Sequence, residues 1–221
     1  KVAAFNLTSL DTHKYPPEVK WKIDQNSKTE HLQLAEDINR DPHVSAVIIQ
    51  HEYGIFGGAE GAKILDFMKN CQKPMLVTLH TVLPSPTQKM KEVTEDIVTL
   101  AHTLVVLTRN SKNLVEKIYP ESKGKVFVIP HGIHPTSFSF QKSYKKKLEL
   151  ENHTVLSTFG LLSQGKGIEY VIQALPQIVK KYPSVLYLIL GGTHPVVRRR
   201  EGEKYRMSLA KLVTKLKLKK N

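Results

Sequence analysis

The chain has 221 residues, of which 40% are hydrophobic and 24% are charged, a composition that is typical of a folded globular protein and excludes a disordered or collagen-like chain. No stretch reaches the roughly 18 to 20 uncharged apolar residues that a membrane-spanning helix needs, so a spanning protein is excluded as well. The formal charge of +13 is uneven, because residues 1–141 carry 16 basic and 15 acidic side chains whereas residues 142–221 carry 17 basic and 5 acidic ones.

The first part of the chain alternates apolar runs with amphipathic segments. The apolar runs AVIIQ, MLVTL, TLVVL and KVFVI occupy residues 46–50, 75–79, 103–107 and 125–129, and helical periodicity is found between them at residues 59–70, 87–101 and 110–119. This alternation predicts a parallel sheet that is covered by helices on both faces. Residues 1–45 add only one weak strand candidate, VAAFNL, and a helix candidate from Thr29 to Arg40.

The pattern breaks after Pro130. Residues 136–152 are polar and lysine-rich without a sustained period, which is typical of a connector between domains. A second unit follows, with a strand candidate at 154–160, a helical apolar stripe from Ile168 to Val179, a strand candidate VLYLILGG and a basic helix over 201–218. We therefore predict an α/β fold with two parallel-sheet domains, residues 1–135 and residues 153–221.

Both predicted domains have few elements. The second contains two strand candidates, and a sheet of two strands is marginally stable on its own. We therefore expect the second domain to be incomplete, the first to lack its first part, and the chain to be a fragment of a longer protein.

The segment FGLLSQGKGIE at residues 159–169 lies between a predicted strand and a predicted helix. A helix N-terminus offers unpaired N–H groups and a partial positive charge, glycines such as Gly165 and Gly167 let a ligand approach the backbone, and Lys166 adds a full charge. The spacing matches neither a P-loop nor a dinucleotide fingerprint. The segment predicts a phosphate site; the alternative is a surface turn with a solvated lysine.

A second group of polar candidates follows the strands of the first domain. His51 and Glu52 end one strand, His80 follows the next, and the carboxyl ends of parallel strands lie at one edge of the sheet, where ligands bind. Gly57 and Gly58 precede a helix and could accommodate a hydroxyl-rich or anionic ligand. The alternative is an ordinary turn with structural histidines.

Metal sites and reactive cysteines are poorly supported by the sequence. His131 lies beside Gly132, which could turn the chain so that the imidazole faces a cleft between the domains, but no further clustered ligand supports a metal pair with His134. We expect no metal. The single cysteine, Cys71, cannot form an internal disulfide, and the first residues lack the apolar core of a secretion signal, so we expect a reducing, cytoplasmic setting.

The basic C-terminal part is compatible with a polyanionic partner, which could be a phosphorylated ligand, an anionic membrane surface at the inner face, or nucleic acid, but the charge alone does not specify one. Few aromatic residues accompany the lysines, so a platform for stacking nucleic-acid bases is poorly supported and nucleic acid is the weakest of these partners. For the lysine run at residues 145–147 and the lysine tail at residues 215–220, a solvated lysine-rich surface is the favoured explanation.

Five segments together resemble one enzyme family over roughly residues 40–210. VIPHGI, TFGLLSQGKGIEYVIQAL, YLILGGTHP, QHEYGIFGG and TLHT are similar to segments of the group 1 (family 4) glycosyltransferases of GT-B fold. The resemblance implies two Rossmann-like domains that face each other across a cleft. It also implies transfer of a sugar from a nucleotide diphosphate sugar to a carbohydrate or lipid-linked acceptor, with retention of configuration and without a metal or other cofactor.

The resemblance also implies roles for single residues. Gly160 matches the glycine that closes the first strand of the donor-binding domain, and Lys166 matches the lysine that binds the donor diphosphate. His80 matches a histidine near the transferred sugar or the acceptor, and the loop with Gly57 and Gly58 is similar to part of the acceptor side.

Three departures from the family pattern weaken the expected donor site. Leu161 stands where many members have an arginine, so Arg198 is a candidate for the second cation. The glycine-rich loop of the first domain and the C-terminal pair of glutamates eight residues apart are not found, so we expect this polypeptide to be inactive alone. The alternatives are another GT-B enzyme, such as an epimerase or a phosphorylase, and a non-catalytic basic module that binds nucleic acid or anionic membrane.

Overall fold

The computed structural model of the chain describes residues 1–6 and 14–221. The described residues form two compact units, Lys1–His134 and Pro135–Asn221. Within these residues, no helix is both long and apolar enough to cross a bilayer.

The first unit consists of parallel strands and the helices that connect them. Its strands are β1 (Val2–Asn6), β2 (Val19–Asp24), β3 (Val47–His51), β4 (Met75–Leu79), β5 (Thr103–Val106) and β6 (Val126–Val128). Its helices are α1 (Lys28–Arg40), α2 (Ile64–Met68), α3 (Gln88–Leu100) and α4 (Arg109–Ile118), with short 3-10 turns at Ala59–Gly61 and Pro120–Ser122.

The strands of the first unit form two sheets that share one hydrophobic core. β1 pairs with β2, and the other sheet has the order β3-β4-β5-β6, with every pair parallel. His51 lies opposite Leu79 in the register, so β3 and β4 end side by side. Glu52 and His80 therefore follow the strands at the same edge of the sheet, as the sequence predicts.

Side-chain caps set the starts of three helices in this unit. Ser27, Thr87 and Thr108 each accept a hydrogen bond from a backbone N–H in the first turn of α1, α3 and α4. Such a cap satisfies one of the otherwise unpaired N–H groups of the first turn, and its loss costs about 1 kcal/mol. The caps explain why these helices begin where the apolar periodicity begins.

The second unit is smaller. Its strands are β7 (Thr154–Phe159) and β8 (Val185–Leu190), and its helices are α5 (Gln141–Lys147), α6 (Ile168–Lys181), α7 (Pro195–Glu201) and α8 (Lys204–Lys215). β7 and β8 are parallel, and the core joins Ile172 of α6 and Leu209 of α8 to Val185 of β8. The outer edge of β8 is partly covered, because the N–H of Tyr187 donates to the carbonyl oxygen of Asn221 at 2.6 Å.

The structure confirms the predicted α/β fold with parallel sheets and corrects several elements. β2 was missed because its lysines interrupt the apolar run that marked the other strands. In VKWKID they alternate with Val19, Trp21 and Ile23, which is the period-two pattern of a strand with one exposed face. The predicted helix over 59–70 is a 3-10 turn followed by the short α2, since Gly57, Gly58 and Gly61 all have positive φ.

Two further differences lie in the basic part. The predicted single helix over 201–218 is α7 and α8, separated at Gly202, whose φ of 65° a continuous α-helix does not allow. The predicted connector contains α5, because lysine and glutamine are good helix formers even without an apolar stripe.

Candidate functional site

The carboxyl ends of β7 and β8 approach each other closely. Gly160 follows β7 with a φ of 132°, and a Cβ atom on Gly191 would lie 1.9 Å from the carbonyl oxygen of Gly160. Beyond the strands, the N–H of Leu162 donates to Gly192 at 2.8 Å, and the N–H of His194 donates to Leu162 at 3.0 Å. Glycine is therefore required at position 191 for this close approach. The contact lies directly before the turn that leads to Lys166.

Lys166 lies in the turn that joins β7 to α6. It ends a 3-10 turn, Gln164–Lys166, and Gly167 then takes a left-handed φ of 64° at the start of α6. No side chain caps this helix. Lys166 is exposed, and its ammonium makes no hydrogen bond or ion pair with another described residue. Gly165 has open space around it, so a ligand can approach the backbone beside the ammonium.

A hydrogen bond holds the start of α6 against α8. The hydroxyl of Tyr205 donates to Oε2 of Glu169 at 2.5 Å. Burial, together with the Glu169 carboxylate, raises the pKa of Tyr205 above its ordinary range, so the phenol keeps its proton and remains a donor. The position of the helix N-terminus relative to α8 is thereby fixed, which pre-organises the turn that carries Lys166.

The second cation that the sequence suggests is already paired. Nε of Arg198 lies 3.4 Å from Oε1 of Glu203, and the hydroxyl of Thr193 donates to the same carboxylate. The Arg198 side chain is 72% exposed, so the ion pair is weak and can open in solution. The pair therefore neither fixes Arg198 in place nor itself forms an anion site.

In the first unit, a separate polar cluster lies at the ends of β3 and β4. Nε2 of His80 is 2.7 Å from Oε1 of Gln50, and the rings of His80 and His131 have centroids 5.6 Å apart. Both histidines are exposed. Oε2 of Glu52 accepts a hydrogen bond from the hydroxyl of Thr81 at 2.7 Å. The edge therefore offers two accessible imidazoles together with an amide, a carboxylate and a hydroxyl, a set that suits the hydroxyl groups of a sugar.

His51 differs from the other candidates because it lies in the core. Its side chain is 1% exposed, its ring stacks on Phe56 and meets the ring of Tyr53 edge to face, and neither ring nitrogen has a partner among the described residues. Burial, with a smaller contribution from nearby His80, lowers the pKa of His51 to about 4. His51 is therefore neutral at pH 7 and does not reach the surface of the cluster.

Gly57 and Gly58 serve close packing. A Cβ atom on Gly57 would lie 2.1 Å from the carbonyl oxygen of Gln25, and both glycines have φ near 70°. The loop after β3 therefore approaches the turn after β2 more closely than any other residue allows. The structure brings His80 and His131 together, whereas it uses these glycines to hold the two turns in contact.

Metal-binding groups do not converge anywhere in residues 1–6 and 14–221: no set of three His, Cys, Asp or Glu side chains there could hold an ion. The thiol of Cys71 is partly buried, and burial raises its pKa, as in an unreactive cysteine.

Sequence reasoning missed Gln50 and Thr81. Gln50 lies on the exposed face of β3, where it alternates with the buried Ile49 and His51. The period-two alternation of a strand predicts that Gln50 is exposed when its neighbours Ile49 and His51 are buried. Thr81 has no such signal, because it lies in a loop and its role depends on the partner Glu52.

Comparison of the sequence with known proteins finds similarity to a curated glycosyltransferase. The chain is 26% identical to the uncharacterized glycosyltransferase MJ1607 of Methanocaldococcus jannaschii over 137 residues, which are 55% of this chain and 35% of that protein. No model of a protein family matches the chain.

Solved structures with a similar fold include HepE and TarM. The Anabaena protein HepE in complex with UDP matches with a TM-score of 0.62 and 20% identity over 87% of this chain and 49% of HepE. Its complex with UDP and glucose gives a TM-score of 0.63 at 19% identity, over 86% of this chain and 49% of HepE. TarM of S. aureus, in complex with Fondaparinux, alpha-GlcNAc-glycerol and UDP, matches with a TM-score of 0.58 and 16% identity, over 88% of this chain and 35% of TarM.

These likenesses differ in what they show. The structural matches establish the fold, and they confirm the predicted α/β architecture of parallel-sheet units. The chain spans about half the length of HepE and about a third of TarM and of the curated relative. By fold, the described residues are therefore similar to parts of UDP-bound HepE and TarM, and by sequence the chain is similar to part of an uncharacterized glycosyltransferase.

Proposed function

We propose that the chain is part of a retaining group 1 glycosyltransferase of GT-B fold, which moves a sugar from a nucleotide diphosphate sugar to a carbohydrate or lipid-linked acceptor. In this proposal the second unit binds the donor diphosphate. One observation carries it: the exposed ammonium of Lys166 has no partner among the described residues and lies at the N-terminus of α6, where β7 and β8 end. The UDP in the HepE and TarM complexes supports the choice of a nucleotide diphosphate.

The chemistry follows from the charge that the reaction creates. When the bond between sugar and diphosphate breaks, negative charge grows on the departing phosphate oxygens. The ammonium of Lys166 and the positive end of the α6 dipole would stabilise that charge more strongly than they stabilise the intact donor, and only such differential stabilisation accelerates the step. Gly160, Gly165 and Gly167 would let the phosphates approach the backbone beside the ammonium.

In this proposal, the polar cluster of the first unit binds the transferred sugar or the acceptor. His80, oriented by Gln50, would hydrogen-bond the transferred sugar or the acceptor, with His131 and Glu52 as further polar contacts. Hydrogen bonds of this kind position hydroxyl groups for attack. Residues 1–221 lack the pair of glutamates with which the similar enzyme family holds the donor sugar. We therefore expect them to bind a nucleotide without catalysing sugar transfer.

Calorimetric titration with UDP tests the proposal. A hydrogen bond to a charged group contributes roughly 1.5 to 3 kcal/mol, so Lys166→Ala is expected to weaken UDP binding on the order of tenfold to a hundredfold. Lys180→Ala, which removes an exposed ammonium at the opposite end of α6, is the matched control and should change the affinity little. Equal affinities for wild type and Lys166→Ala would refute the assignment.

A further inference from the structure

The second unit begins with an exposed segment that combines aromatic and lysine side chains. Within FSFQKSYKKKL, residues 138–148, the side chains of Phe138, Phe140, Tyr144 and Leu148 are 87%, 76%, 53% and 63% exposed. Single exposed apolar residues are normal on a protein surface, whereas a contiguous group of them marks an interaction site. Residues 138–148 are called the aromatic–lysine segment below.

The apolar side chains of this segment lie along one side of it. The rings of Phe138 and Phe140 meet edge to face, with centroids 5.6 Å apart. α5 begins directly after Phe140, and Phe140, Tyr144 and Leu148 follow one another at intervals of four residues, which places them on one face of a helix. The hydroxyl of Tyr144 donates to Oγ of Ser139 at 3.4 Å and so connects the helix to the ring pair.

The apolar side of the segment has no packing partner in the core of the second unit. No residue of α5 is buried, and an isolated helix of this length is unstable in water. The helix is attached at its C-terminal end, where Nζ of Lys145 donates to the carbonyl oxygen of His153 at 2.6 Å, just before β7. A surface that covers the apolar side would therefore supply stabilisation that the core of the unit does not.

The charge of the segment shows what kind of surface fits it. Residues 135–148 contain four lysines and no acidic residue. Lys142 and Lys146 are exposed and form neither a hydrogen bond nor an ion pair with a described residue. Nζ of Lys147 lies 5.5 Å from the centre of the Tyr144 ring, so this ammonium is next to the apolar side. The complementary partner is apolar in its interior and anionic at its surface.

We propose that the aromatic–lysine segment docks the second unit on an anionic lipid bilayer. The rings of Phe138 and Phe140 would enter the boundary between headgroups and acyl chains, while the lysines lie among the acidic headgroups. Aromatic residues favour this interfacial depth, and each lysine close to an anionic leaflet adds attraction. Single-stranded nucleic acid fits less well, because Phe138 and Phe140 contact each other instead of standing apart to stack on successive bases.

The docking is weak and reversible. Two rings and four lysines are comparable with a single acyl anchor, which gives a dissociation constant of about 10⁻⁴ M. Lys166 takes no part in it, so Lys166→Ala should bind vesicles as the wild type does. The lipid proposal and the donor-site proposal can therefore fail separately.

Cosedimentation with vesicles tests the apolar part. The wild type should bind vesicles of phosphatidylcholine that contain phosphatidylglycerol and should not bind vesicles of phosphatidylcholine alone. Phe138→Ser combined with Phe140→Ser should weaken this binding about tenfold, because both rings lose their place in the interface. Met207→Ser, which removes an exposed apolar side chain from α8, is the control and should change the binding less than about twofold.

Two pairs of lysine variants with equal loss of charge test the location. Lys142→Gln with Lys146→Gln should weaken binding to the phosphatidylglycerol vesicles about tenfold, since both ammonium groups lie close to the headgroups. Lys211→Gln with Lys215→Gln removes two exposed charges from α8 and should weaken it by about threefold at most. Equal losses in the two pairs would show that the charge of the whole unit binds the vesicles, and would overturn the proposal.

A tryptophan reports the depth directly. Fluorescence of Phe140→Trp should be quenched by brominated lipid in phosphatidylglycerol vesicles, whereas Met207→Trp should be quenched no more than the wild type with its single Trp21. Equal quenching at both positions, or equal binding to vesicles without phosphatidylglycerol, would overturn the proposal. So would an equal loss of RNA binding in the double phenylalanine variant, which indicates base stacking, or a wild-type dimer that this variant dissociates.

Discussion

Gly191 lies against Gly160 so closely that the two backbones leave no room for a side chain: a Cβ atom on Gly191 would be 1.9 Å from the Gly160 carbonyl oxygen. This contact closes the strand ends of the second unit just before the turn that carries Lys166. The geometry of the proposed phosphate site therefore depends on Gly191, which lies outside the turn itself.

Gly191→Ala should distort that turn. Overpacking of this kind costs about 1 to 3 kcal/mol, because carbonyl oxygen and Cβ must move apart by more than an ångström. We expect a lower unfolding free energy in a denaturant titration and weaker UDP binding. Gly192→Ala is the matched control, since a Cβ there meets nothing within 4 Å. Equal stability of the two variants would show that the contact is not maintained in solution.

His51 should make the protein sensitive to acid. Its pKa is lowered from 6.5 to about 4 in the folded chain, whereas the unfolded chain binds the proton near pH 6.5. Between these values the unfolded state holds more protons, so the unfolding free energy falls as the pH falls, by about 3 kcal/mol over the whole window. Above pH 6.5 this contribution to stability is fully present.

Denaturant titrations of wild type and His51→Leu between pH 7.5 and pH 4 provide the measurement. The leucine variant should show a flatter dependence in this window, because a side chain of similar size replaces the ring without a proton to gain. His80→Gln, at an exposed position, should keep most of the wild-type slope. A His51→Leu slope as steep as that of the wild type would contradict the assignment.

The sequence predicted the fold class well because strands that are buried on both faces leave continuous apolar runs. β4 and β5 were found for this reason, β3 was found because its apolar run includes the exposed Ile48, and the stripe of Ile168, Ile172 and Leu175 predicted α6. β2 was missed because its lysines break the run, although its alternation with Trp21 is typical of a strand with one exposed face.

The candidate site was predictable only where residues follow strand ends. His80 and Lys166 were found because topology places such positions at a sheet edge. The burial of His51 follows the same alternation along β3 that exposes Gln50, but it was missed because a histidine at the end of a strand gives no apolar signal of its own. The pairing of Arg198 with Glu203 depends on the break between α7 and α8, which helical periodicity does not reveal.

The basic second unit should bind anionic surfaces weakly. Its charge is spread over solvated lysines and arginines, and non-specific binding by counterion release has dissociation constants of about 10⁻⁴ to 10⁻⁶ M at physiological salt. We expect phosphatidylglycerol vesicles and random-sequence RNA to bind near the weak end of this range, and Lys166→Ala to leave that binding unchanged. Tight binding that falls steeply with salt, together with no effect of UDP, would favour a basic binding module over a glycosyltransferase.

The central claim is that a diphosphate binds beside the ammonium of Lys166, where β7 turns into α6. Backbone amide chemical shifts recorded during titration with UDP, and separately with UMP, test it most directly. The account predicts that the largest shifts occur within residues 160–168 and require the second phosphate, so that UMP produces much smaller ones. Larger shifts elsewhere in the chain, or an equal pattern with UMP, would contradict it.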